Sequence, residues 1–247
     1  MPKVSDSDKL ISLYQSDNSL MNDAIDRLVV KLYIYKQQLQ KNTILLTGCN
    51  SGTGTTTVAI NLAIALAGAG WNTLLIDADM RKSMKYKRLN SNIPGLSDYL
   101  EGQEDALSIV SPTNQNQLHY VQCGESKTNA VRLLSSKRMD DFVRSARENF
   151  DFVVLDCPAL TVVPDATVLF ASVDSIALVL ALNGTTKKQL AQAKQEISNY
   201  QEKYAGLIVN CVDKKQYKKA FSQYDHFDAG NMRKAYKRAL KKVKVKE

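Results

Sequence analysis

The sequence predicts an α/β chain: a single doubly wound, mainly parallel sheet, preceded by an N-terminal helix and followed by a basic C-terminal helical tail. Three observations carry this expectation. Six short apolar segments are rich in Ile, Val and Leu and lack strict alternation, as strands covered on both faces do. Helical patterns separate those segments, which implies right-handed crossovers between parallel strands. Polar residues gather where the segments end, the side on which such sheets bind ligands.

In chain order, the apolar positions Met21, Ile25, Leu28 and Leu32 recur at helical spacing and predict a helix over about Ser19–Gln40. The predicted strands are Thr43–Gly48, Thr73–Asp77, Leu118–Gln122, Phe152–Asp156, Ile176–Leu182 and Gly206–Asn210. The predicted helices between them are Thr55–Ala69, Lys137–Asn149, Pro164–Ala171 and Lys187–Tyr204. Residues 82–116 read as an excursion beside the strand ends, with Gly95–Leu100 as a short helical insert.

Composition narrows the class. The chain has 247 residues, 44% hydrophobic and 23% charged, which is ordinary for a globular protein. No run reaches the ~18 apolar residues of a membrane span. The first residues lack the apolar core of a secretory signal. Four cysteines, with no CxxC and no His pairing, read as small buried thiols of a cytosolic protein rather than a disulfide scaffold or metal site. The net charge of +8 is localised: residues 1–212 are neutral overall, and residues 213–247 carry twelve basic and four acidic side chains.

The first strand runs into Gly48-Cys-Asn-Ser-Gly52-Thr53-Gly54-Thr55-Thr56-Thr57 and then an apolar helix. A strand, a glycine-rich turn and a helix N-terminus make an anion site from backbone N–H groups and the helix dipole. The P-loop pattern is G-x-x-x-x-G-K-[ST]. The chain carries a variant of it ending Gly52-Thr53-Gly54-Thr55-Thr56, with Thr55 where the lysine belongs. A hydroxyl donates a hydrogen bond but cannot neutralise phosphate charge. The bland alternative is a loop that only makes a tight strand-to-helix turn.

Carboxylates stand at strand ends around this loop: Asp77 and Asp79 after one strand, and Asp156 after another. Mg²⁺ is held by one or two carboxylates, a hydroxyl, waters and phosphate oxygens. Thr56, Asp77 and Asp156 can supply the protein's share. Three converging acids without a cation would repel one another; the alternative is solvated acids at strand ends.

Together these segments resemble the ParA/MinD-type P-loop superfamily, hence a P-loop NTPase-like domain. They are most similar to the bacterial tyrosine kinases of capsule and exopolysaccharide assembly. The resemblance rests on the loop with Asn61-Leu-Ala63, on Leu75-Ile-Asp77-Ala-Asp79-Met-Arg81-Lys-Ser83, on Gly95–Leu100, and on Leu134–Met139 leading to Phe150–Asp156. It implies ATP and Mg²⁺ as cofactors, bound by Gly52, Thr53, Gly54, Thr55, Thr56 and Thr57. Thr56 and Asp77 would bind the metal, with Asp156 as the acid of the second nucleotide motif. It implies that Asp79, with Asp77, forms the catalytic pair, Asp79 helping to activate a tyrosine hydroxyl, and that Asn210 reads the adenine edge. It further implies a membrane-spanning chain-length regulator as partner and self-association into a homo-oligomeric ring.

The chain departs from that pattern at Thr55, at Asn50 in place of a signature lysine, and at Asp23-Ala24, where the ring motif loses its arginines. The dense C-terminal tyrosine cluster is reduced to Tyr217, Tyr224 and Tyr236, the remaining candidate phosphoacceptors. The expectation is a divergent autokinase-like protein with weakened or lost phosphotransfer. The alternatives are a non-catalytic nucleotide-sensing or structural subunit, and a ParA/MinD-like positioning ATPase. Lys82, Lys187 and Lys188 are candidates to replace the missing charge.

The expected organisation is an N-terminal helical segment (1–42), the P-loop NTPase-like domain (43–212) and a basic amphipathic tail (213–247). In the tail, Met232, Ala235, Tyr236, Ala239, Leu240 and Val243 recur at helical spacing between lysines and arginines. Such a segment suits an anionic membrane surface, which would place the protein in the cytoplasm, peripheral to the inner face of the cell membrane. The alternative is a final helix packed on the domain. No base-reading module for nucleic acid is visible.

Overall fold

The computed structural model describes residues 10–81, 93–125, 127–213 and 215. The sheet has seven strands: β1 (Thr43–Gly48), β2 (Thr73–Asp77), β3 (Ser111–Pro112), β4 (Leu118–Val121), β5 (Phe152–Cys157), β6 (Ser175–Ala181) and β7 (Tyr204–Asn210). Their order is β3-β4-β2-β5-β1-β6-β7. Every neighbouring pair is parallel except β3 with β4. A parallel sheet must be covered on both faces, and β1, β2, β5 and β6 are buried along their whole length.

Alternation within each strand divides the core into two layers. Ile44 and Leu46 of β1 join Phe152 and Val154 of β5 on the face covered by α1 (Ser19–Leu39) and α2 (Thr55–Gly68). Leu45, Val153 and Leu155 face the other layer, with α3 (Leu96–Leu100), α4 (Ala130–Leu134) and α5 (Lys137–Asn149). α2 buries nearly every side, from Val58 to Ala67, which explains its apolar composition. α5 buries one stripe, Met139, Phe142, Val143 and Ala146. It starts where the Ser136 hydroxyl accepts the Met139 N–H at 3.3 Å, a cap worth about 1 kcal/mol. Among the described residues no helix is long and apolar enough to cross a membrane.

Several expectations are corrected. The run Lys187–Tyr204 is not one helix. α6 spans Lys187–Ile197, a 3-10 turn follows over Ser198–Lys203, and Tyr204 opens β7. Ser198 turns its hydroxyl back onto Gln195 O at 2.7 Å, and Tyr200 leaves helical geometry at φ −131°. Lys203 anchors the turn on the carbonyls of Phe170 and Ala171. The segment Pro164–Ala171 is a shorter 3-10 helix, Pro164–Leu169. There the Thr167 hydroxyl takes Pro164 O at 2.6 Å, a carbonyl that an α-turn would use.

Two elements were not foreseen, α4 and the two-residue edge strand β3. Nor was the packing of residues 10–18. Ile11 bridges to Thr113, Leu13 is fully buried, and Ser16 N–H donates to the Asn61 side chain on α2 at 2.7 Å. Asn61, which interrupts an apolar run in the sequence, thus has a partner at each end, since its Nδ2 donates to Thr57 O at 2.8 Å. The described residues up to Cys211 belong to one compact unit. Tyr217, Tyr224, Tyr236, the amphipathic stretch Met232–Val243, Lys82 and Ser83 lie outside the described residues.

Candidate nucleotide site

β1 is an inner strand of the sheet, with β5 on one side and β6 on the other. The crevice beyond such a strand is where open α/β sheets hold ligands, and the glycine-rich loop lies at that point. Its base is fastened from three sides. Cys49 N–H donates to Val179 O at 2.8 Å, Leu160 N–H donates to Gly48 O at 2.9 Å, and the Thr47 hydroxyl donates to Pro158 O at 2.6 Å.

Two glycines are required sterically. A Cβ on Gly48 would lie 2.5 Å from Thr53 Oγ1 and 3.0 Å from Thr55 Oγ1. Gly54 caps α2 at φ +79°, a left-handed conformation, and a Cβ there would lie 2.4 Å from Asn210 Nδ2. As the cap residue Gly54 has no side chain to offer, so the first turn of α2 receives no side-chain cap, unlike α5 and α6. A left-handed cap ahead of an uncapped helix start is the backbone form of an anion cradle.

The threonines divide within this loop. Thr53 is buried, and its hydroxyl lies 3.0 Å from that of Thr55. Thr55 and Thr56 are half-buried and Thr57 is exposed. Gly52 sits at the exposed tip, also at φ +79°. Asn210, the last residue of β7, donates from Nδ2 to Thr53 O at 2.8 Å, so it braces the loop from the far end of the chain. Asn50 is held sideways. Its Oδ1 accepts from the Thr185 hydroxyl at 2.6 Å, and that hydroxyl in turn accepts the Ala181 N–H at 3.0 Å.

The carboxylates end neighbouring strands. Asp77 on β2 is the register partner of Asp156 on β5, and both are buried. Asp77 Oδ1 accepts the N–H of Asp79 at 3.0 Å, which turns the chain after β2. The Tyr120 hydroxyl approaches Asp77 Oδ2 at 3.4 Å. Asp79 is half-buried. Two residues on, Arg81 Nε contacts both oxygens of the fully buried Asp165, at 2.7 and 3.0 Å. That hydrogen bond holds the guanidinium above its ordinary range.

Among the described residues no three His, Cys, Asp or Glu side chains are placed to hold a metal by themselves. Asp77 and Asp156 form a pair instead, which is the number of carboxylates a magnesium–phosphate site uses. The cysteines are free thiols: Cys49, Cys123 and Cys157 are buried and Cys211 is exposed. Burial, aided by Asp156, Asp79 and Asp77, holds the Cys157 thiol well above its ordinary range, and burial raises Cys49 too. Both shifts disfavour the thiolate.

The structure therefore gathers Gly52–Thr57, Asp77, Asp79, Asp156 and Asn210 at the carboxyl ends of the strands. Lys187 and Lys188 are exposed in the first turn of α6. Sequence reasoning missed Thr185, Tyr120 and Asp165. Only Asp165 carried a signal, as an acid just after Pro164 at a helix start.

Residues 44–229 match the family model described as the CobQ/CobB/MinD/ParA nucleotide binding domain. The chain is 34% identical over 172 residues to the tyrosine-protein kinase CpsD of Streptococcus pneumoniae serotype 4, across 69% of this chain and 76% of that one. It is 33% identical over 172 residues to the tyrosine-protein kinase YwqD of Bacillus subtilis, across 69% and 73% of the two chains. The kinase domain of the Escherichia coli tyrosine kinase ETK superposes with a TM-score of 0.73 at 28% identity, over 78% of this chain and 76% of that one.

Proposed function

Because the chain belongs to the bacterial tyrosine kinases, within the CobQ/CobB/MinD/ParA nucleotide-binding domains, we propose that it binds Mg-ATP at the glycine loop. On this reading it is a divergent autokinase-like protein regulating capsule or exopolysaccharide synthesis at the cytoplasmic face of the membrane. Its partner there is a membrane-spanning chain-length regulator, and the basic tail contributes affinity for an anionic surface. The observation that carries the reading is the pairing of Asp77 with Asp156 beside a glycine cradle in which a Cβ at Gly48 or Gly54 would displace Thr53 or Asn210.

The residues present fit the cofactor. Thr56, Asp77 and Asp156 would hold Mg²⁺, which when bound neutralises phosphate charge. Backbone N–H groups of Gly52–Thr57 hold the phosphates, and Asn210 orients the base. With Nδ2 committed to Thr53 O, Asn210 offers the base Oδ1, an acceptor matched to adenine's amino group. Asp79 takes the proton of the attacking tyrosine hydroxyl. The tyrosine oxygen bonds to the γ-phosphorus, the bridging P–O bond breaks, and ADP leaves. The Arg81–Asp165 pair fixes the segment carrying Asp79.

Thr55 supplies no ammonium group, and losing a transition-state charge clamp costs ~10²–10³ in rate. Calorimetry on the full chain with Mg-ATP, with mass spectrometry for ATP-dependent phosphotyrosine, tests the reading. Expected are a binding heat and slow modification that rises when the regulator's cytosolic tail is added. Absence of both binding and modification sinks the reading.

The inward-facing Thr53–Thr55 hydroxyl pair favours one second reading, a non-catalytic nucleotide-sensing subunit of the same complex. Binding heat with no phosphotyrosine, even with the regulator's tail present, would select it.

A further inference from the structure

P-loops measure the length of a phosphate chain with a side chain, because backbone amides grip the inner phosphates whatever lies beyond them. In this chain the side chains that stand at those positions turn elsewhere. Thr55 Oγ1 lies 3.0 Å from Thr53 Oγ1, on the loop floor above Gly48. The Asn50 amide is occupied at both ends, taking the Thr185 hydroxyl at 2.6 Å and donating to Ser51 O at 3.0 Å. Arg81 is committed to both oxygens of Asp165. Lys127 is committed to Glu101 at 2.9 Å. Among the described residues of the loop and the strand ends beside it, the cradle itself remains, its shape fixed by Asn210 through Thr53 O; Lys187 and Lys188 stand exposed in the first turn of α6.

We propose, on the basis of the nucleotide-binding reading above, that the site takes adenosine diphosphate and triphosphate as equivalent ligands, and that Thr55 is the residue that sets this lack of discrimination. The loop amides and the α2 dipole grip the β-phosphate, which both nucleotides carry. A lysine reaching the γ-phosphate would add a charge-assisted hydrogen bond that only the triphosphate receives. Occupancy then follows the total adenine nucleotide pool and not the ratio of ATP to ADP, so the bound state reports nucleotide supply without reporting hydrolysis.

The experiment is calorimetric titration of the full chain, with magnesium, by ATP, ADP and AMP, repeated on Thr55→Lys. Expected are ATP and ADP affinities within about threefold of each other, less than one ordinary hydrogen bond apart. AMP, lacking the β-phosphate, should bind at least about tenfold more weakly. Thr55→Lys should favour ATP over ADP by about tenfold or more. A natural chain that prefers ATP to ADP by tenfold overturns the proposal while leaving nucleotide binding intact. Absence of heat with all three nucleotides overturns nucleotide binding itself. The wild-type ratio decides even if the variant does not fold.

Discussion

Arg81 closes a two-oxygen ion pair on Asp165, a carboxylate with no exposed surface, and so ties the turn after β2 to the 3-10 helix after β5. Removing one member of such a pair leaves a buried charge uncompensated. Arg81→Ala is expected to cost about 3 kcal/mol, the low end for a buried pair because the guanidinium is partly exposed. A urea midpoint unchanged by the substitution would show that the pair does not hold the turn.

Asn210 joins the end of β7 to the glycine loop through one hydrogen bond to Thr53 O. Asn210→Ala is expected to weaken ATP binding about tenfold, the worth of one well-placed hydrogen bond plus loosening of the loop. The natural chain should prefer ATP to GTP, since the free amide oxygen accepts from an amine and repels a carbonyl. Competition titration with the two nucleotides checks both statements.

Asn61 satisfies a backbone donor and a backbone acceptor from inside α2. Asn61→Leu keeps the branched outline of the side chain but strips Ser16 N–H of its acceptor. The expected loss is about 1–3 kcal/mol, with faster hydrogen exchange and earlier proteolytic cleavage confined to residues 10–18. Uniform exchange across the domain would contradict that assignment.

Burial holds the His119 imidazole below its ordinary range. Among the described residues its Nδ1 has no hydrogen-bond partner, and its ring packs against Phe150 at 5.5 Å between centroids. The native state therefore resists a proton that the unfolded chain takes up below about pH 6.5. Stability is full above that pH and falls as pH drops towards the depressed native value. Denaturant midpoints at pH 7.5 and 5.5 should differ more for the natural chain than for His119→Gln.

Elements announced by their own residues were legible in the sequence. β1 and β2 have the expected ends because each is a short Ile/Leu run opened by a Thr and closed by a Gly or Asp, and α5 because Ser136 and its four-residue stripe define it. β3 was not legible, since two residues become a strand only by pairing with His119 and Tyr120. Tyr204 was assigned to a helix because its apolar ring suits either element, and only the β6 ladder decides. The same division runs through the site. The glycines and acids stand in short local patterns, whereas Asn50–Thr185 and Arg81–Asp165 join residues far apart in the chain, at no fixed spacing.

The brace on the phosphate loop comes from the last residue of the last strand. During synthesis the loop emerges from the ribosome some 150 residues before that brace exists. A nascent or prematurely terminated chain thus carries every glycine and threonine of the cradle without the group that sets its shape. On the proposed nucleotide-binding reading, the cradle reaches its final shape only once β7 has joined the sheet.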